Sequence, residues 1–211
     1  MLYDGILFDL DGTLWDSSRS VAESWNLTLA RLSGRPGSFT AEDVCSIMGM
    51  TEAQIAARLF SGFGDGAAVC RLCLRDEGPY LRVHGGRLYP GIPELLRELS
   101  ARVPLFIVSN CQTGYIESFL DFSGLRGCFA DTRCEGDNGR GKAENIRLLC
   151  REHGLARPVY VGDTAMDERA TAEAGCPFIH VTYGFGAAKA PAAAADCAGA
   201  LLALLKGENH V

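Results

Sequence analysis

The sequence predicts an α/β fold, a parallel sheet covered by helices on both faces, with one helical domain inserted into it. Three observations lead there. Short apolar runs bounded by Gly, Pro, Asn or Asp stand at Gly5-Ile-Leu-Phe-Asp9, Leu105-Phe-Ile-Val-Ser109, Val159-Tyr-Val161 and Phe178-Ile-His-Val181, and read as buried strands. Between the later ones lie segments with helical spacing, such as Leu95, Leu96 and Leu99 within 92–99 and Ile146, Leu149 and Cys150 within 143–153. The stretch from about Asp16 to Gly86 breaks that alternation, because it holds no convincing strand.

In chain order, the first strand leads through Asp16-Ser-Ser18 into the insert. Thr40 before Ala-Glu-Asp43, and Thr51-Glu-Ala-Gln54 with capping-box spacing, place two helix starts, since hydroxyl and carboxylate satisfy orphan N–H groups there. Arg35-Pro-Gly-Ser38 and Gly62-Phe-Gly-Asp-Gly66 are then turns, and His84-Gly-Gly86 closes the insert. Tyr89-Pro-Gly91 opens the next core helix, a weak strand is expected at Cys128-Phe-Ala130, and the Ala-rich segment 187–203 has the propensity of a helix closing the sheet. The core is thus 1–15 with 87–211, and 16–86 is the inserted domain, joined by two linkers in a geometry suited to hinge motion.

Length and composition agree. At about 150 residues per domain, 211 residues make about 1.4 domains. With 47% hydrophobic and 22% charged residues the chain can bury a sizeable core. A net charge of −6 argues against a nucleic-acid partner or an anionic membrane surface, which require a basic face. The nine cysteines are an odd number, and Met1-Leu-Tyr-Asp-Gly5 lacks the pattern of a secretory signal, so a reduced cytoplasm is expected. The Cys70-Arg-Leu-Cys73 pair lacks a second CxxC or a His pair and reads as ordinary thiols. The longest apolar candidate, 198–205, is too short to span a membrane.

Chemistry concentrates at strand ends. The first strand runs into Asp9-Leu-Asp11-Gly-Thr13, where open α/β sheets bind ligands and where Gly12 lets the two carboxylates converge. Carboxylates that close repel unless a cation or a shared proton intervenes. The strand from Leu105 to Val108 delivers Ser109 and Asn110, groups suited to phosphate oxygens, and the third strand delivers Gly162-Asp163-Thr-Ala-Met-Asp167. Lys142, one of only three lysines, opens a helix, bringing an ammonium to an anion-friendly terminus. Carboxylates beside a phosphate oxygen are what octahedral Mg²⁺ requires.

These residues resemble the haloacid dehalogenase superfamily of phosphohydrolases: the DxDGT segment, Ser109, Lys142 and the GDxxxD segment occur in that family's order, over the whole chain. The resemblance implies a Rossmann-like core with a helical cap directly after the first motif, as in phosphoglycolate-phosphatase-like members. It makes Asp9 the nucleophile that forms an aspartyl-phosphate and Asp11 the general acid and base, with its main-chain carbonyl on the metal. Ser109, Asn110 and Lys142 become phosphate-binding; Asp9, Asp11, Asp163 and Asp167 become the Mg²⁺ residues, Asp167 directly or through water. The expected partner is a small phosphate ester.

Rival readings are weighed on residues. Gly136-Asp-Asn-Gly-Arg-Gly-Lys142 has P-loop spacing, but Ala143 stands where a metal-binding hydroxyl is needed and Thr132-Arg-Cys-Glu135 is a poor preceding strand. Within the resembled family, a dehalogenase would lack Asp11, and a phosphonate hydrolase would need a cap lysine, absent from 16–86. A sugar phosphomutase of the β-phosphoglucomutase kind would need a histidine where Val21 stands and an arginine before a Lys-Gly pair where Ser46-Ile-Met-Gly49 stands. Candidates to face the leaving group are Met48, Gly49, Met50, Trp15, Ser17 and Ser18, with Arg19, Arg58, Arg71 and Arg75 available to a substrate carboxylate, and Cys111 a small lining residue.

Overall fold

The computed structural model describes residues 1–34 and 37–207. Arg35 and Pro36, half of the turn expected at 35–38, lie outside them. In chain order the elements are β1 (Gly5–Phe8), β2 (Trp15–Asp16), α1 (Ser18–Ser33), α2 (Ala41–Cys45), α3 (Glu52–Leu59), α4 (Gly66–His84), β3 (Arg87–Leu88), α5 (Ile92–Ser100) and β4 (Leu105–Ser109). There follow α6 (Tyr115–Ser123), β5 (Asp131–Cys134), α7 (Glu135–Asn138), α8 (Lys142–Glu152), β6 (Pro158–Gly162), α9 (Ala165–Ala174), β7 (Phe178–Val181), β8 (Ala193–Ala195) and α10 (Ala198–Lys206).

Six strands form one sheet in the order β5-β4-β1-β6-β7-β8, all paired in parallel. Because side chains alternate across a strand, the apolar run of β1 serves two layers. Ile6 and Phe8 join Ile107, Val159 and Val161 in a core with Leu95, Leu96, Phe119 and Leu201. Leu7 faces the other way, with Phe106, Val108 and Tyr160 against Ile146 and Leu149 of α8. A strand buried on both faces must be apolar throughout, which is why β1 and β4 were legible.

The chain goes from β1 to β4 on one side and returns through β6 to the other, so the strand order reverses at β1. The crevice outside its carboxyl end is therefore where the topology opens a ligand site.

Residues 18–84 leave through β2 and return through β3, which pair antiparallel, Trp15 with Leu88 and Asp16 with Arg87. Both capping boxes form, Thr40 with Asp43 and Thr51 with Gln54, and Asp65 caps α4 after the expected turn. Inside this helical segment Trp25, Phe39 and Phe60 cluster with centroids 5.1–5.4 Å apart. α4 packs against α1 on one side and α6 on the other.

Three local expectations are corrected. Residues 126–128 form a 3₁₀ turn, and the strand lies instead at β5, whose half-exposed edge residues offer no apolar run to read. That strand also stands directly before Gly136, where the P-loop argument expected none, although α7 then breaks the loop. The Ala-rich helix starts only at Ala198: Pro191 cannot donate within a helix, and Ala193–Ala195 pairs with β7 as the sheet's last strand. All nine cysteines are free, and burial pushes the Cys70 and Cys73 thiols up to about 12. No described helix is long and apolar enough to cross a membrane.

Candidate active site

At the carboxyl end of β1 the Asp9 amide still donates to the Val161 carbonyl (2.8 Å), after which Gly12 turns the chain with φ +80°. Only glycine fits there, since a Cβ would sit 2.2 Å from Asp163 Oδ2. Asp9, Lys142, Asp163 and Asp167 are all buried, none more than 5% exposed. Lys142, the first residue of α8, donates to Asp9 Oδ1 (2.8 Å) and to Asp167 Oδ1. The other Asp167 oxygen caps α9, accepting from the Thr164 amide (3.0 Å) and hydroxyl (2.6 Å). Both oxygens of Asp167 are thus engaged. Asp163 Oδ2 accepts from the Phe185 amide (2.7 Å), while its buried Oδ1 has no partner.

Three carboxylates face one ammonium. Burial, then Asp167 and Asp163, push the Asp9 carboxyl well above its ordinary range against the pull of Lys142. Burial pulls the Lys142 ammonium down, but Asp167 and then Asp9 hold it well above the ordinary range. Burial and then Asp167 raise Asp163 to about 7. The cluster is short of positive charge. One oxygen from each of Asp9, Asp163 and Asp167 lies within 4.8 Å of the others, and with the orphaned Asp163 Oδ1 this donor set fits a hard divalent cation.

Asp11 turns elsewhere. Its carboxylate, expected to converge with Asp9, accepts from Ser17 (2.6 Å) and Tyr115 (2.9 Å) on the side of the helical segment. Burial lifts it to about 6, and those two hydrogen bonds restrain the rise. Ser109 is buried at the end of β4. Asn110 donates its amide to the Gly49 carbonyl (2.8 Å), tying the sheet to the helical segment, and its buried Oδ1 has no partner.

A model of haloacid dehalogenase-like hydrolases matches residues 6–181, from β1 through β7, and so contains every one of these side chains. The chain belongs to the haloacid dehalogenase-like hydrolase family. It is a phosphatase similar to the phosphoglycolate phosphatases: the one from Yersinia pseudotuberculosis is 29% identical over 205 residues, covering 92% of this chain and 87% of the relative. A 5'-nucleotidase from Pseudomonas aeruginosa is 30% identical over 192 residues, covering 87% and 85%. Among solved structures, a haloacid dehalogenase-like hydrolase from Streptococcus pneumoniae superposes with TM-score 0.79 at 25% identity, covering 96% and 98%. A Haemophilus somnus protein named as a predicted phosphoglycolate phosphatase gives 0.82 at 24%, covering 99% of each chain.

In this haloacid dehalogenase-like hydrolase a cavity of about 220 Å³ lies between the sheet end and the helical segment. Asp11, Ser109 and Asn110 form one wall, and Met48, Gly49 and Met50 line it as expected. Trp15, Ser17 and Ser18 do not; Ser17 is fully buried and donates to Asp11. Trp15 is fully buried, edge-on to Phe119 at 5.0 Å, and Ser18 donates to Asp16 at 2.6 Å. None of the four candidate arginines lines the cavity; Arg19, Arg71 and Arg75 pair with Glu23, Glu52 and Asp76, and Arg58 is exposed.

Sequence reasoning missed Tyr115, Glu77 and Gln112 on the wall. Glu77 is 3% exposed and accepts from Trp25 Nε1 (2.5 Å) and from Gln112. Burial raises it to about 8. A signal existed: Cys70, Cys73, Leu74, Glu77 and Leu81 form the buried stripe of α4, and a glutamate there breaks the apolar pattern.

Proposed function

We propose that this enzyme hydrolyses a small phosphomonoester through an aspartyl-phosphate on Asp9, with Mg²⁺ as its cation. The observation that carries the reading is the buried set of Asp9, Lys142, Asp163 and Asp167 at the strand-order reversal. An Asp9 oxygen attacks phosphorus while the ester P–O bond breaks, and Asp11 gives its proton to the departing alkoxide. Asp11, now a carboxylate, takes a proton from water as that water attacks the phosphorus of the aspartyl-phosphate, releasing inorganic phosphate and free Asp9. Lys142, Ser109 and main-chain N–H groups after Asp9 hold the phosphoryl oxygens and balance the charge of the transition state. Asn110 supports the cradle by anchoring the Gly49 loop.

Mg²⁺, held by Asp9, Asp163 and the main-chain carbonyl of Asp11, would let an anionic nucleophile approach an anionic phosphate. Asp167 acts by orienting Lys142, with any metal contact through water. Residues 16–86 are the cap domain over 1–15 and 87–211, excluding water from the leaving group.

The test is phosphate release from a panel of small esters, with phosphoglycolate, the substrate in its relatives' names, among them. Activity that requires Mg²⁺ and disappears in Asp9→Asn is expected. Equal rates in EDTA, or a fully active Asp9→Asn protein, would remove the mechanism.

A further inference from the structure

We propose that the cavity beside Asp11 is the site of an ammonium-bearing leaving group, so that the preferred ester is the phosphate of a short amino alcohol and not of a hydroxycarboxylate. This rests on the phosphomonoesterase reading above. Asp11 and Ser109 belong to both the phosphate site and the cavity wall, so the leaving group enters this space.

Among the described residues no lysine, arginine or histidine lines the cavity, whereas Asp11, Glu52, Glu77 and Glu135 do. A substrate carboxylate would meet no cation on this wall, only acidic groups, of which Asp11 holds its proton for the leaving group, Glu77 holds its own near neutral pH and Glu52 is paired with Arg71. The two wall atoms that are buried without a partner, Asn110 Oδ1 and Glu135 Oε2, are both acceptors. They call for a ligand that donates. An ammonium offers three N–H donors and a compensating charge.

Glu77 is held in place by Trp25 and Gln112 but has no cation of its own. Burial keeps Glu77 protonated up to about pH 8, and an ammonium placed beside it would favour its ionised form and pair with it. Trp25 lines the same wall and donates its Nε1 to Glu77. The apolar part of the wall, including Val21, Ile47, Ile55 and Leu74, suits short methylene groups.

The experiment measures kcat/KM for phosphate release by the full chain with Mg²⁺ on four esters: 2-aminoethyl phosphate, propyl phosphate, glycerol phosphate and phosphoglycolate, with p-nitrophenyl phosphate as reference. The expected order has 2-aminoethyl phosphate about tenfold above propyl phosphate and phosphoglycolate about tenfold below it. In Glu77→Gln the ratio of aminoethyl to propyl ester falls by about fivefold or more, a ratio that general loss of activity does not move.

Phosphoglycolate or glycerol phosphate matching or exceeding the amino ester, or equal rates on all four, would overturn the inference alone. No release from any ester, reference included, would overturn the phosphomonoesterase reading and the inference with it. The unmodified chain's ester series decides the matter even where Glu77→Gln does not fold.

Discussion

Two groups of buried carboxylates sit a short distance apart in this molecule and are compensated differently. At the sheet end Asp9 and Asp167 share the ammonium of Lys142, in a cluster whose oxygens suit a divalent cation. On the cavity wall Glu77 has only the indole of Trp25 and the amide of Gln112. The same chemical group therefore does different work: one site gathers a lysine and the oxygens for a divalent cation through which a phosphate can be received, and the other offers acceptors with no cation for an anion. Charge in the cleft is distributed by partner, not by residue type, and specificity follows from the contrast.

The largest effect expected is at the compensated site. Lys142→Met leaves Asp9 and Asp167 buried without their cation and should cost about 3–5 kcal/mol of stability, read as a lower denaturant midpoint, with activity lost. An unchanged midpoint would mean that the two carboxylates are neutral without the lysine, and the contrast would collapse.

Next comes Asp11, which joins the two regions. Asp11→Asn should slow hydrolysis of alkyl esters by about 10²–10⁴-fold. It should slow p-nitrophenyl phosphate much less, because that leaving group needs no proton. Equal losses on both substrates would remove Asp11 as the proton donor.

The uncompensated site should show itself in pH dependence. The Glu77 carboxyl titrates near 8 in the folded protein, above the 4.5 of a free glutamate, because of burial. The folded state binds the extra proton between those values, so this contribution to stability is fully present below about pH 4.5 and is lost as pH rises to about 8. Melting temperature against pH should lose that downward slope in Glu77→Gln. A parallel curve would show that Glu77 finds a cation after all.

The smallest effect lies outside the cleft. Thr51→Ala removes one half of an exposed capping box on α3 and should cost about 1 kcal/mol, with kcat/KM nearly unchanged. A large loss of activity there would mean that the helical segment's stability, and not its wall chemistry, controls turnover.

Much of the fold was legible because its signals are local. Gly5–Phe8 and Leu105–Ser109 are buried at every position, and apolar up to Ser109, since both sheet faces are covered, and Thr40 and Thr51 announce helices through hydrogen bonds three residues long. The edge strands β5 and β8 were not legible. One is polar and half-exposed and the other is three alanines, so their pairing depends on a neighbour and not on a pattern. The motif residues Asp9, Lys142, Asp163 and Asp167 could be singled out because strand ends gather at one edge of a parallel sheet.

By itself, then, the sequence determined the alternation of strands and helices, the helical segment and the residues carried to the sheet edge, all consequences of periodicity, caps and chain order. Only the tertiary structure decided that Asp11 turns away from Asp9 towards Ser17 and Tyr115, that Asp167 spends its oxygens on Lys142 and Thr164, and that the cavity wall bears Glu77 and no cation. Those outcomes join positions as far apart as Asp11 and Tyr115 and depend on which side chains end up dehydrated together, a property of packing that no local spacing encodes.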